Sequence, residues 1–316
     1  MRTLRISLSN KNILSLRDLT SSEILSVLKL AAIFKKEFQA RKSRPLLPGC
    51  ILAMIFEKPS TRTRVSFETG IFQLGANPIY LGINDIQLSR GESVEDTART
   101  LGLYVDCIVA RIYDHYNLER LAASTHVPVI NGLSNSFHPC QILADLLTIH
   151  EHKEKLRGLK LAWIGDGNNV CNDMLLGCAK VGINIVVACP KGYEPLQYVI
   201  ELAKQEGTHT KVEVTVTDDP VFAAENADVI VTDTFVSMGK DEEKMARDIA
   251  FLPKYQVNSN LFSLAKKDCI FMHCLPATRG KEVTSDIIDG DASVVWDEAE
   301  NRLHVQKALM YFLLKN

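Results

Sequence analysis

Short apolar runs, many of them β-branched, alternate along this chain with longer stretches in which apolar positions recur every three or four residues. The runs at 51–56, 78–82, 106–111, 127–130, 160–164, 184–188, 212–216, 228–232, 269–272 and 293–296 read as strands. The segments 61–75, 93–104, 116–124, 140–153, 169–181, 195–206 and 245–252 read as helices. Ile51-Leu52-Ala53-Met54-Ile55-Phe56 is apolar throughout, as in a buried strand, whereas Val65, Phe67, Ile71, Phe72 and Leu74 follow at helical spacing. This alternation predicts an α/β protein with mostly parallel sheets and helices on both faces. In such an architecture ligands sit beyond the carboxyl ends of the strands.

The strands fall into two groups. HPCQILADLLTIHEHKEKLRG, from His138, predicts one long helix ending near Gly158, after which Leu159 to Ile164 opens a second sheet. The domain boundary is placed inside this helix, near residue 150, giving domains 1–150 and 151–302. Glu298 to Leu314 is again helical, and its part from 303 to 316 is expected to pack back on the first domain. The interdomain helix and the C-terminal helix would thus join the two domains. FVSMGKDEEKM, 235–245, is too polar for a strand and reads as a loop.

At 316 residues and 46% hydrophobic, the chain can bury a core in each of two domains. A net charge of −2 gives no electrostatic case for nucleic acid or an anionic membrane. No apolar run approaches the ~20 residues that span a bilayer. The start, MRTLRISLSN, has no apolar signal core, so a soluble cytoplasmic protein is expected. Eight cysteines, at 50, 107, 140, 171, 178, 189, 269 and 274, contain no CxxC pair. They read as reduced thiols rather than a disulfide framework or a zinc site, and no metal or cofactor is expected.

The candidate chemistry starts where the first strand gives way to a helix, at EKPSTRTRVSFETG, 57–70. A helix N-terminus presents unpaired N–H groups and partial positive charge. Ser60, Thr61 and Thr63 add hydroxyls; Arg62 and Arg64 add guanidinium forks suited to phosphate, with the spacing directing only one of them inward. One Ser or Thr there is ordinarily a cap, and one His before Pro a turn residue. Five donors at one strand exit are better explained by an anion. Arg111 closes another apolar strand, His138-Pro139-Cys140-Gln141 opens the long helix, and Gln87 begins the polar loop Gln87-Leu88-Ser89-Arg90-Gly91-Glu92.

This constellation resembles the aspartate/ornithine carbamoyltransferase superfamily, whose first domain carries S-T-R-T-R and H-P-x-Q. The resemblance implies that Ser60, Thr61, Arg62 and Thr63 hold the phosphate of carbamoyl phosphate. Arg111, His138, Pro139, Cys140 and Gln141 would surround its carbamoyl group, and Gln87 would reach into a neighbouring subunit of a homotrimer. Attack on the carbonyl carbon builds charge on its oxygen, for which Thr63, Arg111 and His138 would be donors, each worth ~3–4 kcal/mol.

In the second half, Trp163-Ile164-Gly165-Asp166-Gly167-Asn168-Asn169-Val170 is a strand, a turn and a helix start. It has the first two glycines of a dinucleotide fingerprint but Val170 in place of the third, and Asn168 and Asn169 offer amides to a carboxylate. Asp233 ends the strand Val229 to Thr232 and suits an ammonium. Ser237-Met238-Gly239 and His273-Cys274-Leu275-Pro276 resemble the SMG loop and HCLP motif of ornithine carbamoyltransferases. That resemblance implies ornithine binding by Asn169, Asp233, Ser237 and Met238. It places Cys274 and Leu275 at the carbamoyl junction, with Arg302 a late contact to carbamoyl phosphate. Phe235 stands where the family commonly has Trp, and Arg90 at a variable place; both read as packing or tuning changes.

An alkylammonium with pKa ~10.4 is neutral in only about one molecule in a few thousand at pH 7, a handicap of roughly 4–5 kcal/mol. Asp233 and Cys274 are therefore expected to orient the amine and help remove its proton. The implied reaction is direct transfer without a covalent intermediate, giving citrulline and phosphate, in arginine biosynthesis or in the catabolic arginine deiminase route. Transfer to putrescine is the runner-up, although it would leave Asn169 without a carboxylate; aspartate would bring two carboxylates to Asp233. A nicotinamide-dependent dehydrogenase lacks the third glycine, and a two-domain solute-binding protein would call for an export signal.

Overall fold

Strands form where apolar residues run unbroken, and most helices begin where a small polar side chain caps the first turn. The computed structural model describes residues 8–9, 11–236 and 241–315. It divides into two units, Met1–Leu147 with Glu300–Asn316, and Thr148–Ala299.

The first unit runs α1 (Ser21–Gln39), β1 (Ile51–Phe56), α2 (Thr61–Gln73), β2 (Asn77–Gly82), α3 (Val94–Gly102), β3 (Cys107–Arg111), α4 (His115–Ala123) and β4 (Val129–Leu133). α5 (Pro139–Lys153) then continues through the boundary into the second unit. The sheet is wholly parallel in the order β2-β1-β3-β4. The crossovers from β1 and β3 leave in opposite directions, so the crevice of this sheet opens past the paired strand ends Phe56 and Arg111. One face is filled by Ala53, Ile55, Ile108, Ala110 and Val129 against Ala98 of α3 and Leu118 and Leu121 of α4.

The second unit runs β5 (Lys160–Ile164), α6 (Asn169–Val181), β6 (Asn184–Ala188), α7 (Gln197–Thr210), β7 (Val214–Thr217), α8 (Pro220–Ala224) and β8 (Val229–Thr232). α9 (Lys244–Phe251), α10 (Ser259–Phe262), β9 (Ile270–His273) and α11 (Ser285–Ile288) follow. Its parallel order is β7-β6-β5-β8-β9, which puts the switch point between β5 and β8. Ala162, Ile164, Ile230 and Phe271 of the sheet pack with Phe235, Phe251, Ile287 and Ile288. The Phe235 ring stacks on Phe251 at 4.6 Å, so this residue is a packing element of the core.

The last helix, α12 (Val295–Leu314), ends in the first unit and lies against α2. Gly70 makes that approach possible: a Cβ there would stand 3.1 Å from Lys307 Cγ and 3.3 Å from Met310 Cε. No helix among the described residues is long and apolar enough to cross a membrane.

Both sheets are parallel and flanked by helices, as the alternation predicts. Three details differ from the expected pattern. The strand expected at 293–296 reduces to a single bridge between Phe271 and Ser293, after which α12 starts at Val295. Asp297 and Glu298 in its first turn complement the helix dipole and outweigh the β propensity of Val294 and Val295. α5 stops at Lys153 instead of near Gly158, because Glu154 turns left-handed at φ 56°. α1 is an additional helix beyond those predicted, opened by a reciprocal capping box of Thr20 and Glu23. Ser237, Met238 and Gly239 lie outside the described residues.

Candidate active site

At the end of β1, Ser60 caps α2: its hydroxyl accepts from the Thr63 N–H at 3.2 Å. The first turn of α2 therefore faces the crevice with Thr61 exposed, Arg62 half-buried and Thr63 buried. Arg64 is turned away, donating to Glu68 at 3.0 Å and lying 3.6 Å over the Tyr80 ring. The loops after β1 and β3 are tied together. The Tyr113 N–H donates to Glu57 at 2.7 Å, the Glu57 N–H to the Arg111 carbonyl at 2.9 Å, and the Lys58 ammonium lies 3.8 Å over the Tyr113 ring. These contacts hold Arg111 at the strand end beside the α2 turn.

His138 precedes Pro139, the first residue of α5, where a missing N–H costs nothing. The Phe137 carbonyl just before it accepts from Asn131 Nδ2 at 3.2 Å, and Asn131 also donates to the Leu14 carbonyl at 2.8 Å. The Cys140 thiol is turned to β4, 3.5 Å from the Asn131 carbonyl. Gln141 points its amide oxygen to Arg302, which donates from Nη1 at 2.6 Å and from Nη2 to the Thr63 hydroxyl at 3.2 Å. The Gln141 amide nitrogen donates to Asp145 at 2.8 Å. Because the Thr63 oxygen accepts from Arg302, its hydrogen can be directed to a ligand oxygen.

The electrostatic character of this cluster is cationic. His138 is buried, and burial first, then the charges of Arg302, Arg111 and Arg62, hold its pKa well below the ordinary 6.5. The imidazole is neutral at pH 7 and stands in a field of three guanidinium groups. That environment suits a multiply charged anion. Gln87 lies elsewhere in the sequence order, in an exposed 3-10 turn over Gln87–Arg90.

In the second unit the switch-point loops carry the polar residues. Asn168 caps α6, its oxygen accepting from the Val170 and Cys171 N–H groups, and its amide donates to Asp233 Oδ2 at 2.7 Å. One amide hydrogen of Asn168 is thus engaged within the protein, and Asn169 follows it in the first turn of α6. Asp233 is buried, and its Oδ1 accepts from the Thr234 N–H at 2.7 Å and from the Cys274 thiol at 3.1 Å. Leu275 is held at φ 56°, with its N–H donating to His273 Nδ1 at 2.9 Å. A branched residue in that region is strained, a state that tends to occur where a chain is fixed for function.

The two glycines of Gly165-Asp166-Gly167 are explained by the backbone. Gly165 sits at φ 143°, and a Cβ on Gly167 would fall 2.2 Å from the Pro195 nitrogen. Asp166, between them, accepts from buried Arg247 at 2.7 Å. Neither Arg247 nor Asn131 stands out in the sequence; Arg247 gives no local signal, while Asn131 is a polar residue inside the otherwise apolar strand β4. Among the described residues, Asp233, His273 and Cys274 bring one ligand atom each within 4.8 Å, the set that could hold a divalent cation. Asp233 and Cys274 are already bonded to each other, and His273 Nδ1 already accepts from the Leu275 N–H.

Two parallel sheets, one gathering arginines past its strand ends and the other a carboxylate, a thiol and amides, define a two-domain group-transfer fold. The model of the aspartate/ornithine carbamoyltransferase carbamoyl-P binding domain matches residues 11–151, and that of the Asp/Orn binding domain matches residues 157–313. The chain belongs to the aspartate/ornithine carbamoyltransferase family and is, with it, a transferase. Within that family it is similar to proteins named ornithine carbamoyltransferase. The relative from Carboxydothermus hydrogenoformans is 54% identical over 98% of this chain and 99% of its own length. The relative from Bacillus subtilis is 52% identical, over 98% of this chain and 95% of its own. The solved structure of ornithine carbamoyltransferase from Pyrococcus furiosus superposes with a TM-score of 0.95 at 50% identity, covering 98% of each chain.

Proposed function

We propose that this chain transfers the carbamoyl group of carbamoyl phosphate to the side-chain amine of L-ornithine, giving L-citrulline and phosphate. The observation that carries this reading is the opposite character of the two clusters. Three guanidinium groups surround a neutral imidazole in the first unit, and a buried carboxylate with a thiol donor stands in the second. The first suits a phosphorylated substrate and the second a cationic amine. Near-full-length similarity to ornithine carbamoyltransferases supports the pairing.

In this mechanism Ser60, Thr61, Arg62 and Thr63 bind the phosphate through side chains and the N-terminal N–H groups of α2. Arg111, His138 and Gln141 orient the carbamoyl group, with Arg302 bracing Thr63 and Gln141. Asn169 takes the ornithine carboxylate, Asp233 the side-chain ammonium, and Asp233 with Cys274 helps shed its proton. The neutral amine attacks the carbonyl carbon. The oxyanion receives hydrogen bonds from Thr63, Arg111 and His138, and the C–O bond to phosphate breaks. Ser237, Met238, Pro139, Cys140 and Leu275 complete the two binding sets, and Gln87 serves a neighbouring copy in a homotrimer. The reaction belongs to arginine biosynthesis.

Citrulline formation from the two substrates, with putrescine and aspartate as control acceptors, tests the assignment. Ornithine is expected to be the preferred amine; equal or better turnover of putrescine would overturn it.

A further inference from the structure

We infer that the buried ion pair of Arg247 and Asp166 positions the amine-binding residues, which makes Arg247 a positioning residue for the acceptor substrate. This deepens the assignment of Asn169 and Asp233 to ornithine and rests on it. Arg247 lies near the start of α9 with only 2% of its surface exposed, an environment that charged residues occupy only when partnered. Its Nη1 donates to Asp166 Oδ2 at 2.7 Å and to the Phe235 carbonyl at 2.9 Å, and its Nε donates to Glu243 at 2.8 Å. The guanidinium carbon also stands 4.9 Å from the centre of the Tyr193 ring.

The two inward bonds reach both sides of the switch point. Asp166 lies in the turn after β5, two residues before Asn168; Phe235 lies two residues after Asp233. Between these anchors runs the Asn168–Asp233 hydrogen bond at 2.7 Å. One side chain therefore fixes the separation of the segments that carry Asn169 and Asp233, the residues assigned to the two charged ends of ornithine. The fork is essential to this role. A guanidinium can reach three acceptors in set directions, whereas an ammonium is a point charge on a flexible stem. A small error in that separation weakens simultaneous capture of a carboxylate and an amine without touching carbamoyl phosphate binding.

The test is a substrate-by-substrate comparison of Arg247→Lys, Arg247→Gln and Asp166→Asn. Each is expected to raise KM for ornithine about tenfold or more while carbamoyl phosphate binding, read by calorimetry, stays within about twofold. Adding Asp166→Glu to Arg247→Lys, which restores reach, is expected to recover most of the ornithine affinity. Asp248→Asn breaks the α9 pair with Lys281 and serves as the control, with KM unchanged. An unaltered ornithine KM in the Arg247 variants, equal weakening toward both substrates, or loss of folded protein even with Lys would each overturn the proposal. If the wild-type enzyme prefers another amine, the ornithine assignment falls separately, and the same KM series with that amine decides the role of Arg247.

Discussion

The thiol of Cys274 donates to Asp233 Oδ1 over 3.1 Å, while Asn168 donates to the other oxygen of the same carboxylate at 2.7 Å. Two donors from different strand ends thus fix both oxygens of one acid. A carboxylate held this way is oriented toward a cation. Cys274→Ala is expected to lower kcat about 10²-fold. Steady-state kinetics check this; an unchanged rate would remove Cys274 from the mechanism.

Arg302 bridges Thr63 and Gln141 from α12. Its replacement by Met removes one of the three positive charges facing His138 and two charge-assisted hydrogen bonds. Carbamoyl phosphate affinity should fall by about 1.5–3 kcal/mol, or roughly 10- to 150-fold. The KM for ornithine should change little. Calorimetric titration with each substrate separates the two.

His138 couples acid stability to the anion site. Its folded pKa is depressed by burial and then by Arg302, Arg111 and Arg62, so the unfolded chain takes up a proton at a higher pH than the folded one. The associated stability is present above the unfolded value of ~6.5 and is lost as pH falls toward the folded value. The melting temperature should therefore drop between pH 7 and 5. His138→Gln should show a shallower drop, while His115, also depressed by burial, supplies what slope is left. Thermal melts across that range give the comparison.

Gly167→Ala should be among the most harmful small substitutions in the second unit. The added carbon would meet backbone, 2.2 Å from the Pro195 nitrogen and 2.4 Å from the Glu194 carbonyl carbon, so the turn before Asn168 must move. A loss of about 2 kcal/mol or more is expected, with weaker ornithine binding. Gly192→Ala, at φ 87° with nothing within 4 Å, should cost only the left-handed penalty of about 1 kcal/mol. Denaturant melts of the two variants side by side provide the measurement.

Much of the architecture is legible because buried parallel strands are written as unbroken apolar runs, Ile51 to Phe56 and Val229 to Thr232 among them. The turn into α2 stands out for the same local reason: polar donors crowd where an apolar strand ends. What stays hidden is contact across the fold. Arg302 meets Gln141 over a separation of 161 residues, and Arg247 meets Asp166 over 81; no window of sequence contains either pair. Asn168 was visible as a polar turn residue, but its commitment to Asp233 depends on β5 and β8 being neighbours in the sheet. The end of the chain misled for a different reason. Val294 and Val295 have strand propensity, and the acidic residues after them favour a helix start.

Arg302 lies in the first half of α12, the last helix, yet it steadies residues that α2 and α5 supply far earlier in the chain. During synthesis the first sheet can collapse long before this arginine leaves the ribosome. Affinity for the phosphorylated substrate should consequently arise late, on release of the nascent polypeptide, and a protein clipped ahead of its final helix would fold a first lobe that scarcely recognises its ligand.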